Sequence, residues 1–290
     1  MEHEFGGQWT RTKIEILGEY LSIYSNAMKN QPFRLHYVDA FAGTGTHRQK
    51  SLDTQAALIP LEDMEGSVKT ALNVYPGFDE YHFNDLNPAH VEALNEIRTE
   101  FPEKNINVTQ DDANNFIPTF CSNLRGKDRV VLFIDPYNTE FNWETLQVIA
   151  QSKKVDMWLL FPISVILRMT PKEGAKIIPE WDKTISRLLG TPGWKEALYK
   201  PKEPQEMGDL FATRDILSES DELMERINPD ELKSWVHLRL EEIFSYVASP
   251  VMLKNNNRPL FLLFFAVSNP SPAAKKLASR LAKHSMDKFS

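Results

Sequence analysis

Four aspartates carry the chemistry that this chain offers: Asp39, Asp85, Asp112 and Asp135. Each stands at or just after the end of a segment suited to a buried strand: Leu35–Val38, Glu80–Asp85, Ile106–Thr109 and Arg129–Ile134. If those strands are parallel, the four carboxylates gather on one edge of a sheet, beyond the carboxyl ends where open α/β folds bind ligands. Asp39 also leads through Ala40 and Phe41 into Gly43-Thr44-Gly45. Glycine takes positive φ and has no Cβ, so the backbone there can turn tightly and let a ligand come close. One Asp after a strand is an ordinary turn former. Four in register beside a glycine loop point to a site.

The elements that would hold these residues read out in order. Thr10 to Asn30 has the spacing of an amphipathic helix, with Ile14, Leu17, Leu21, Tyr24 and Met28 on one face and Thr12/Glu15 matching a capping box. After the glycine loop, residues 46–65 begin as a polar stretch that we read as a loop or lid, followed by a helix from Gly66 to about Tyr75. Asn87-Pro88 is a cap and first-turn pair. A short helix interrupted by Pro118 follows the third strand, and Asn142 is positioned to cap the next helix. Val155–Phe161 is a fifth strand. Strands alternating with helices imply a mostly parallel sheet with right-handed crossovers. Residues 163–242 break the rhythm and read as a helical insertion, with helix starts at Thr170-Pro171 and Asn228-Pro229 and a loop around Lys200–Asp209. Two late strands, near Tyr246–Leu253 and Leu260–Val267, are close enough in sequence to be antiparallel. A basic amphipathic helix, from Pro272 to about Met286, follows. The organisation expected is an N-terminal helix (1–31), the first part of the core (32–162), the insertion (163–242) and the completion of the core (243–290).

Composition narrows the classes. The chain has 290 residues and a net charge of −7, which argues against tight nonspecific phosphate binding by the chain as a whole. Residues 196–242 carry 13 acids against six Lys or Arg, whereas 243–290 carry seven Lys or Arg against the single acid Asp287. Such runs are commonly solvated faces. No apolar run is long enough to span a bilayer and the first residues lack the pattern of a signal peptide, so a cytoplasmic protein without membrane contact is expected. With Cys121 as the only cysteine, internal disulfides and cysteine metal clusters are excluded. The seven histidines show no metal-ligand spacing along the chain, and His36 and His82, within strands, read as structural. Cys121 reads as inert, Trp158 and Trp235 as core, and Trp9 either as a cover for a ligand or as a staple of the first helix.

A glycine loop followed by an acid after the next strand is common to dinucleotide binders and S-adenosylmethionine (SAM) binders, where the second acid takes ribose hydroxyls. Pyrophosphate binders run directly from a third glycine into a helix whose N-terminus faces the phosphates. Here a polar segment follows Gly45 and the third glycine is missing. The late antiparallel pair also departs from a nicotinamide domain, so both features favour a methyltransferase.

Asp39-Ala-Phe-Ala-Gly-Thr-Gly45, Asn84-Asp-Leu-Asn-Pro88, Asp111-Asp-Ala113 and Ile134-Asp-Pro-Tyr137, in this order, resemble the class I SAM-dependent methyltransferases. More specifically, the chain resembles the three-Cys-motif partner (TcmP) family of bacteria and their mobile elements. The likeness rests on Trp9-Thr10, Tyr24, Phe33-Arg34, the stretch Tyr37–Gly43 and Asp135-Pro-Tyr137, and it covers about the first 160 residues. It implies a Rossmann-like α/β fold with a mostly parallel sheet, a late antiparallel strand and a helical insertion. It implies SAM as cofactor, with Asp39, Ala40, Phe41, Gly43 and Gly45 near its amino acid end, Asp85 on the ribose, Leu86 against the adenine, and Asp112 and Ala113 at the adenine amino group. Asp135, Pro136 and Tyr137 then lie where the methyl group is handed over. A carboxylate and a carbonyl can hold the protons of an exocyclic amine, and an aromatic ring can stack on a base taken out of its stack.

Base amino methyltransferases carry Asp-Pro-Pro-Tyr or Asn-Pro-Pro-Tyr. Asp135-Pro-Tyr-Asn138 is closer to the Asp-Pro-Tyr-Gly or Asp-Pro-Phe-Gly of tRNA guanine dimethyltransferases, with Asn for Gly. The leading expectation is N-methylation of an exocyclic amine on a nucleic acid base. RNA or DNA phosphates would meet the basic helix, through Lys275, Lys276, Arg280, Lys283 and Lys288. The alternative is a methyltransferase fold that has lost transfer activity and serves as binding partner of the cysteine-bearing, radical-SAM-like protein for which the family is named. A nicotinamide-dependent enzyme ranks third.

Overall fold

Parallel strands buried on both faces read as near-continuous apolar runs, and this chain has several. A computed structural model describes residues 7–45, 66–172, 177–201 and 224–289. The expected lid at 46–65 and most of the expected loop around Lys200–Asp209 lie outside the described residues, as do half of the acids of the insertion. The eight-stranded sheet runs β3 (Ile106–Gln110), β2 (Glu80–Asp85), β1 (Arg34–Asp39), β4 (Asp128–Ile134), β5 (Val155–Phe161), β10 (Arg258–Val267) and β8 (Tyr246–Val247), with β9 (Val251–Asn255) also on β10. The first five are parallel, and β10 runs antiparallel to β5, β8 and β9. After β1 the chain builds outward through β2 and β3, then crosses to β4 on the other side of β1. That reversal leaves a crevice beyond the carboxyl ends of β1 and β4.

Period-two alternation splits the core. Val131 and Phe133 of β4, with Trp158 and Leu160 of β5, pack beneath α1 (Gly7–Met28), α2 (Ser67–Leu72), α3 (Pro88–Glu100) and α10 (Pro272–Met286). Val130, Leu132, Met157 and Leu159 face α4 (Ala113–Asn123), α5 (Trp143–Ser152), α6 (Ile163–Met169), α7 (Pro179–Leu189) and α9 (Pro229–Glu241). Cys121 is buried on α4 and burial pushes its thiol up to about 12, which leaves it unreactive. No helix among the described residues is long and apolar enough to cross a membrane.

Several local expectations change. Helix α1 begins at Gly7, so Thr12 lies within it and caps nothing; Trp9 is already held by the Phe261 ring, centroids 5.0 Å apart. Pro118 does not interrupt α4 but sits inside it, where buried Phe116, Ile117 and Cys121 hold the helix despite one missing donor. Asn142 occupies the N-cap position of α5 but makes no side-chain cap; its Oδ1 accepts from Arg187 instead. Thr170-Pro171 ends α6 rather than starting a helix, and α7 begins at Pro179. Asn228 does cap α9, in a capping box with Glu231. A small antiparallel pair, β6 (Tyr199–Pro201) with β7 (Met224–Arg226), went unforeseen because each strand has only three residues.

The loop after β1 is fixed by close packing. Gly45 has φ of +68°, and a Cβ there would overlap Ile97 Cδ1 of α3 and crowd Leu94. Gly45→Ala therefore combines backbone strain with overpacking and should cost ~2–4 kcal/mol in denaturant unfolding. A loss under ~0.5 kcal/mol would show that the loop yields instead.

Asp39 ends β1 fully buried. Burial, opposed by hydrogen bonds from Ser67 and Phe41, raises its carboxyl from 3.8 to about 7. The fold thus prefers the protonated acid. This contribution to stability is present in full below about pH 4 and is lost as pH rises through about 7. Asp39→Asn should flatten the decline in unfolding free energy between about pH 4 and about pH 7. An unchanged slope would show that Asp39 does not set it.

Candidate active site

The backbone beyond β1 is stitched to both neighbouring strands. The Ala40 N–H donates to the Phe133 carbonyl of β4 at 3.1 Å, and the Ala42 N–H to the Asn84 carbonyl of β2 at 2.9 Å. Asn84 Nδ2 then donates to the carbonyls of Ala40 (3.2 Å) and Asp111 (3.0 Å), so one buried amide ties three strand ends together. Its Oδ1 is buried and takes no hydrogen bond among the described residues.

Asp85 closes the arrangement. Oδ2 accepts from the Gly43 N–H at 2.8 Å, while Oδ1 accepts from the Asn87 N–H at 2.8 Å and lies 3.0 Å from His90 Nδ1. The carboxylate therefore sets the glycine loop and the start of α3 together. Gly43 takes φ of +59°, and a Cβ there would stand 3.5 Å from the Tyr137 hydroxyl, which places that ring over the glycine turn.

Around these groups lies a cavity of about 430 Å³. Ala40, Phe41, Asp85, Leu86, Asp112, Ala113 and Tyr137, all expected site residues, line it. Asp111, Glu140 and Arg187 complete its charged lining, so four carboxylates face one cation. Burial, then Asp112 and Asp85, raises the Glu140 carboxyl. Leu86 and Tyr137 are 63% and 45% exposed, large apolar surface left in water at the cavity's edge. Asp112 caps α4 through the Asn114 N–H at 2.7 Å. Asn114 in turn bonds the Glu140 carbonyl, the Asn142 N–H and the Thr145 hydroxyl, which fixes the segment after Tyr137 against α4.

The remaining expected residues do not line this cavity. Asp39 offers its oxygens to the Phe41 N–H (3.3 Å) and the Ser67 hydroxyl (2.5 Å). Gly45 faces α3, and Pro136 is buried in the turn. Asp135 pairs with Lys13 of α1 at 2.5 Å, the lysine side chain 5% and the aspartate 27% exposed. The Lys13 ammonium also lies 5.4 Å from the Trp9 ring centre and 5.9 Å from that of Phe133. Burial and the surrounding carboxylates of Asp85, Asp135 and Asp39 push the Tyr137 hydroxyl up to about 12, so it keeps its proton at neutral pH. Asn138 takes φ of +53°. Asn enters the left-handed region more readily than most residues, which accounts for its place where the dimethyltransferase pattern has Gly.

Sequence reasoning missed Lys13, Asn84, Asp111, Asn114, Glu140 and Arg187. Lys13 carried a signal: it lies four residues before Leu17, on the inward face of α1, where a lysine needs a partner. Arg187 carried none, since it arrives from the insertion and bonds Asn142 and the Thr139 carbonyl.

No family model and no curated protein sequence matches the chain. Among solved structures, protein LPL1258 from Legionella pneumophila, of the DUF519 family, is 13% identical over 94% of this chain and 91% of its own, with a TM-score of 0.50. A looser likeness is to M. jannaschii TYW2, solved in complex with AdoMet: 10% identity, 92% and 83% coverage, TM-score 0.35. The chain has a Rossmann-like α/β fold, a mostly parallel sheet completed by a late antiparallel strand.

Proposed function

We propose that the protein is a SAM-dependent methyltransferase whose acceptor is a planar, nitrogen-bearing group such as the exocyclic amine of a nucleic acid base. The observation that carries this reading is the charge of the cavity. Asp85, Asp111, Asp112 and Glu140 against Arg187 repel a pyrophosphate and attract a cation bearing hydroxyls and amines. The orphaned Asn84 Oδ1 and the exposed Leu86 suit such a ligand too, one as a hydrogen-bond acceptor and the other as a surface for a flat ring. When bound, SAM supplies an electrophilic methyl group on a positively charged sulfur.

The chain's own residues supply orientation. Asp85 and Asp112 accept from ligand hydroxyl and amino groups. Asp135 accepts an N–H from the acceptor amine, turning the nitrogen lone pair toward the methyl donor. Lys13 holds Asp135 from behind and leaves the carboxylate no freedom to swing away. Tyr137 offers its exposed ring for stacking and its protonated hydroxyl as a donor. Positioning of this kind is worth several orders of magnitude in rate.

Calorimetry with SAM should show binding by the wild type and its loss in Asp85→Ala; absence of binding by the wild type would overturn the reading. With labelled SAM and cellular RNA or DNA, Asp135→Ala should still bind SAM but lose transfer by about 10²-fold or more. Unchanged transfer would remove Asp135 from the site, and transfer to neither nucleic acid would reject the base as acceptor. Lys13→Met leaves Asp135 without its buried partner and should reduce transfer with little change in SAM affinity. Equal transfer by Lys13→Met and the wild type would show that Asp135 holds its position unaided.

A further inference from the structure

The sheet carries a second constellation at its opposite edge, where the strands begin. In parallel register His36 of β1 lies beside Glu80 of β2, and Val38 beside His82. Residues two apart on a strand share a face, so His36, Glu80 and His82 project from one side of two adjacent strands. Their ligand atoms converge. His36 Nδ1 and His82 Nε2 are 3.3 Å apart, His82 Nε2 and Glu80 Oε2 3.2 Å, and His36 Nδ1 and Glu80 Oε2 3.3 Å.

We propose that His36, His82 and Glu80 form a binding site for a divalent cation of the zinc type, independent of the methyltransferase reading. Three atoms in a triangle of 3.2–3.3 Å match one face of a tetrahedron around zinc, whose ligand distances of about 2.0–2.1 Å give edges of about 3.3–3.4 Å. Two imidazole nitrogens and one carboxylate oxygen suit zinc better than the oxygen-seeking magnesium or calcium. The three side chains are 5%, 15% and 13% exposed and line a cavity of about 370 Å³, which leaves room for water or a solute as fourth ligand.

Polar groups stand behind two of the three ligands, as they do in metal sites. His36 Nε2 lies 3.4 Å from Asp128 Oδ1. A proton on that nitrogen leaves the Nδ1 lone pair facing Glu80 and His82. Asp128 is itself held by the Arg125 N–H at 2.6 Å. Glu80 uses its other oxygen, Oε1, for Arg34 and for Asn105 Nδ2. The His82 ring packs edge-on against Phe120 at 4.8 Å. Arg34 balances part of the negative charge but touches only the oxygen turned away from the triangle.

Full-length protein stripped with a chelator and titrated with zinc chloride should bind one equivalent by calorimetry. Cobalt(II) in its place should give the intense visible bands of a tetrahedral centre. His82→Gln and Glu80→Gln should each weaken zinc binding by about tenfold or more. Should either variant fail to fold, X-ray absorption of the zinc-loaded wild type decides the point: two imidazole scatterers support the site, and none overturns it. No saturable binding, weak octahedral cobalt bands, or unaltered affinity in folded His82→Gln would each overturn it as well.

Discussion

The Asp85 carboxylate is the joint on which the carboxyl edge of the sheet depends. It ends β2, takes the Gly43 N–H with one oxygen, and takes the Asn87 N–H and His90 with the other. An ionised carboxylate has acceptor capacity on both oxygens and no proton to misplace. No amide of the same shape serves both sides equally, because its NH2 end would confront a donor. The group remains in the wall of the cavity. A ligand hydroxyl reaching it therefore joins a network that already fixes the glycine loop, and recognition is coupled to loop geometry through one side chain.

Three of the four strand-end acids show that structural and functional readings need not compete. Asp112 is a helix cap, Asp85 a turn former, and Asp39 a buried acceptor for a loop N–H and a hydroxyl. Each has the ordinary local reason for standing after a strand. Parallel topology nonetheless brings Asp85, Asp111 and Asp112 to one cavity, and Glu140 joins them from the segment after β4. The field that results comes from the whole edge, not from any one acid. It favours a cation and disfavours phosphate, a distinction that glycine spacing alone made less firmly.

The fold was legible where local signals and burial agree. β2 and β5 were bounded correctly, β2 by its alternation of polar and apolar residues and β5 by an apolar run that stops at Pro162, and Asn87-Pro88 and Asn228-Pro229 each paired a cap with a proline at the first helical position. Thr170-Pro171 offered the same local signal and failed, since the backbone there already accepts Tyr199 through the Pro171 carbonyl and ends α6. Of the site, the residues next to strand ends were readable, and those arriving from elsewhere were not. Lys13 reaches Asp135 across 122 positions and Arg187 reaches Asn142 across 45. Asp39 and Gly45 stand beside the cavity without lining it and support the loop after β1, a distinction that only burial and φ reveal.

Histidine spacing along the chain gives no sign of the proposed cation site for a related reason. Metal motifs are recognised along one helix or one loop, whereas His36 and His82 meet across a parallel pair and are 46 positions apart. Only Glu80 and His82 are close in sequence, and a Glu-x-His on a strand carries no signal by itself. The same two strands carry both groups of residues. β1 runs from Arg34 and His36 to Asp39 and the glycine loop, and β2 from Glu80 and His82 to Asp85. An ion bridging His36, Glu80 and His82 would fix the spacing and register of β1 and β2 at their amino ends. The Gly43–Asp85 hydrogen bond fixes them at their carboxyl ends. A pair of strands clamped at both ends has little freedom to slide, and the cavity wall built on it inherits that rigidity.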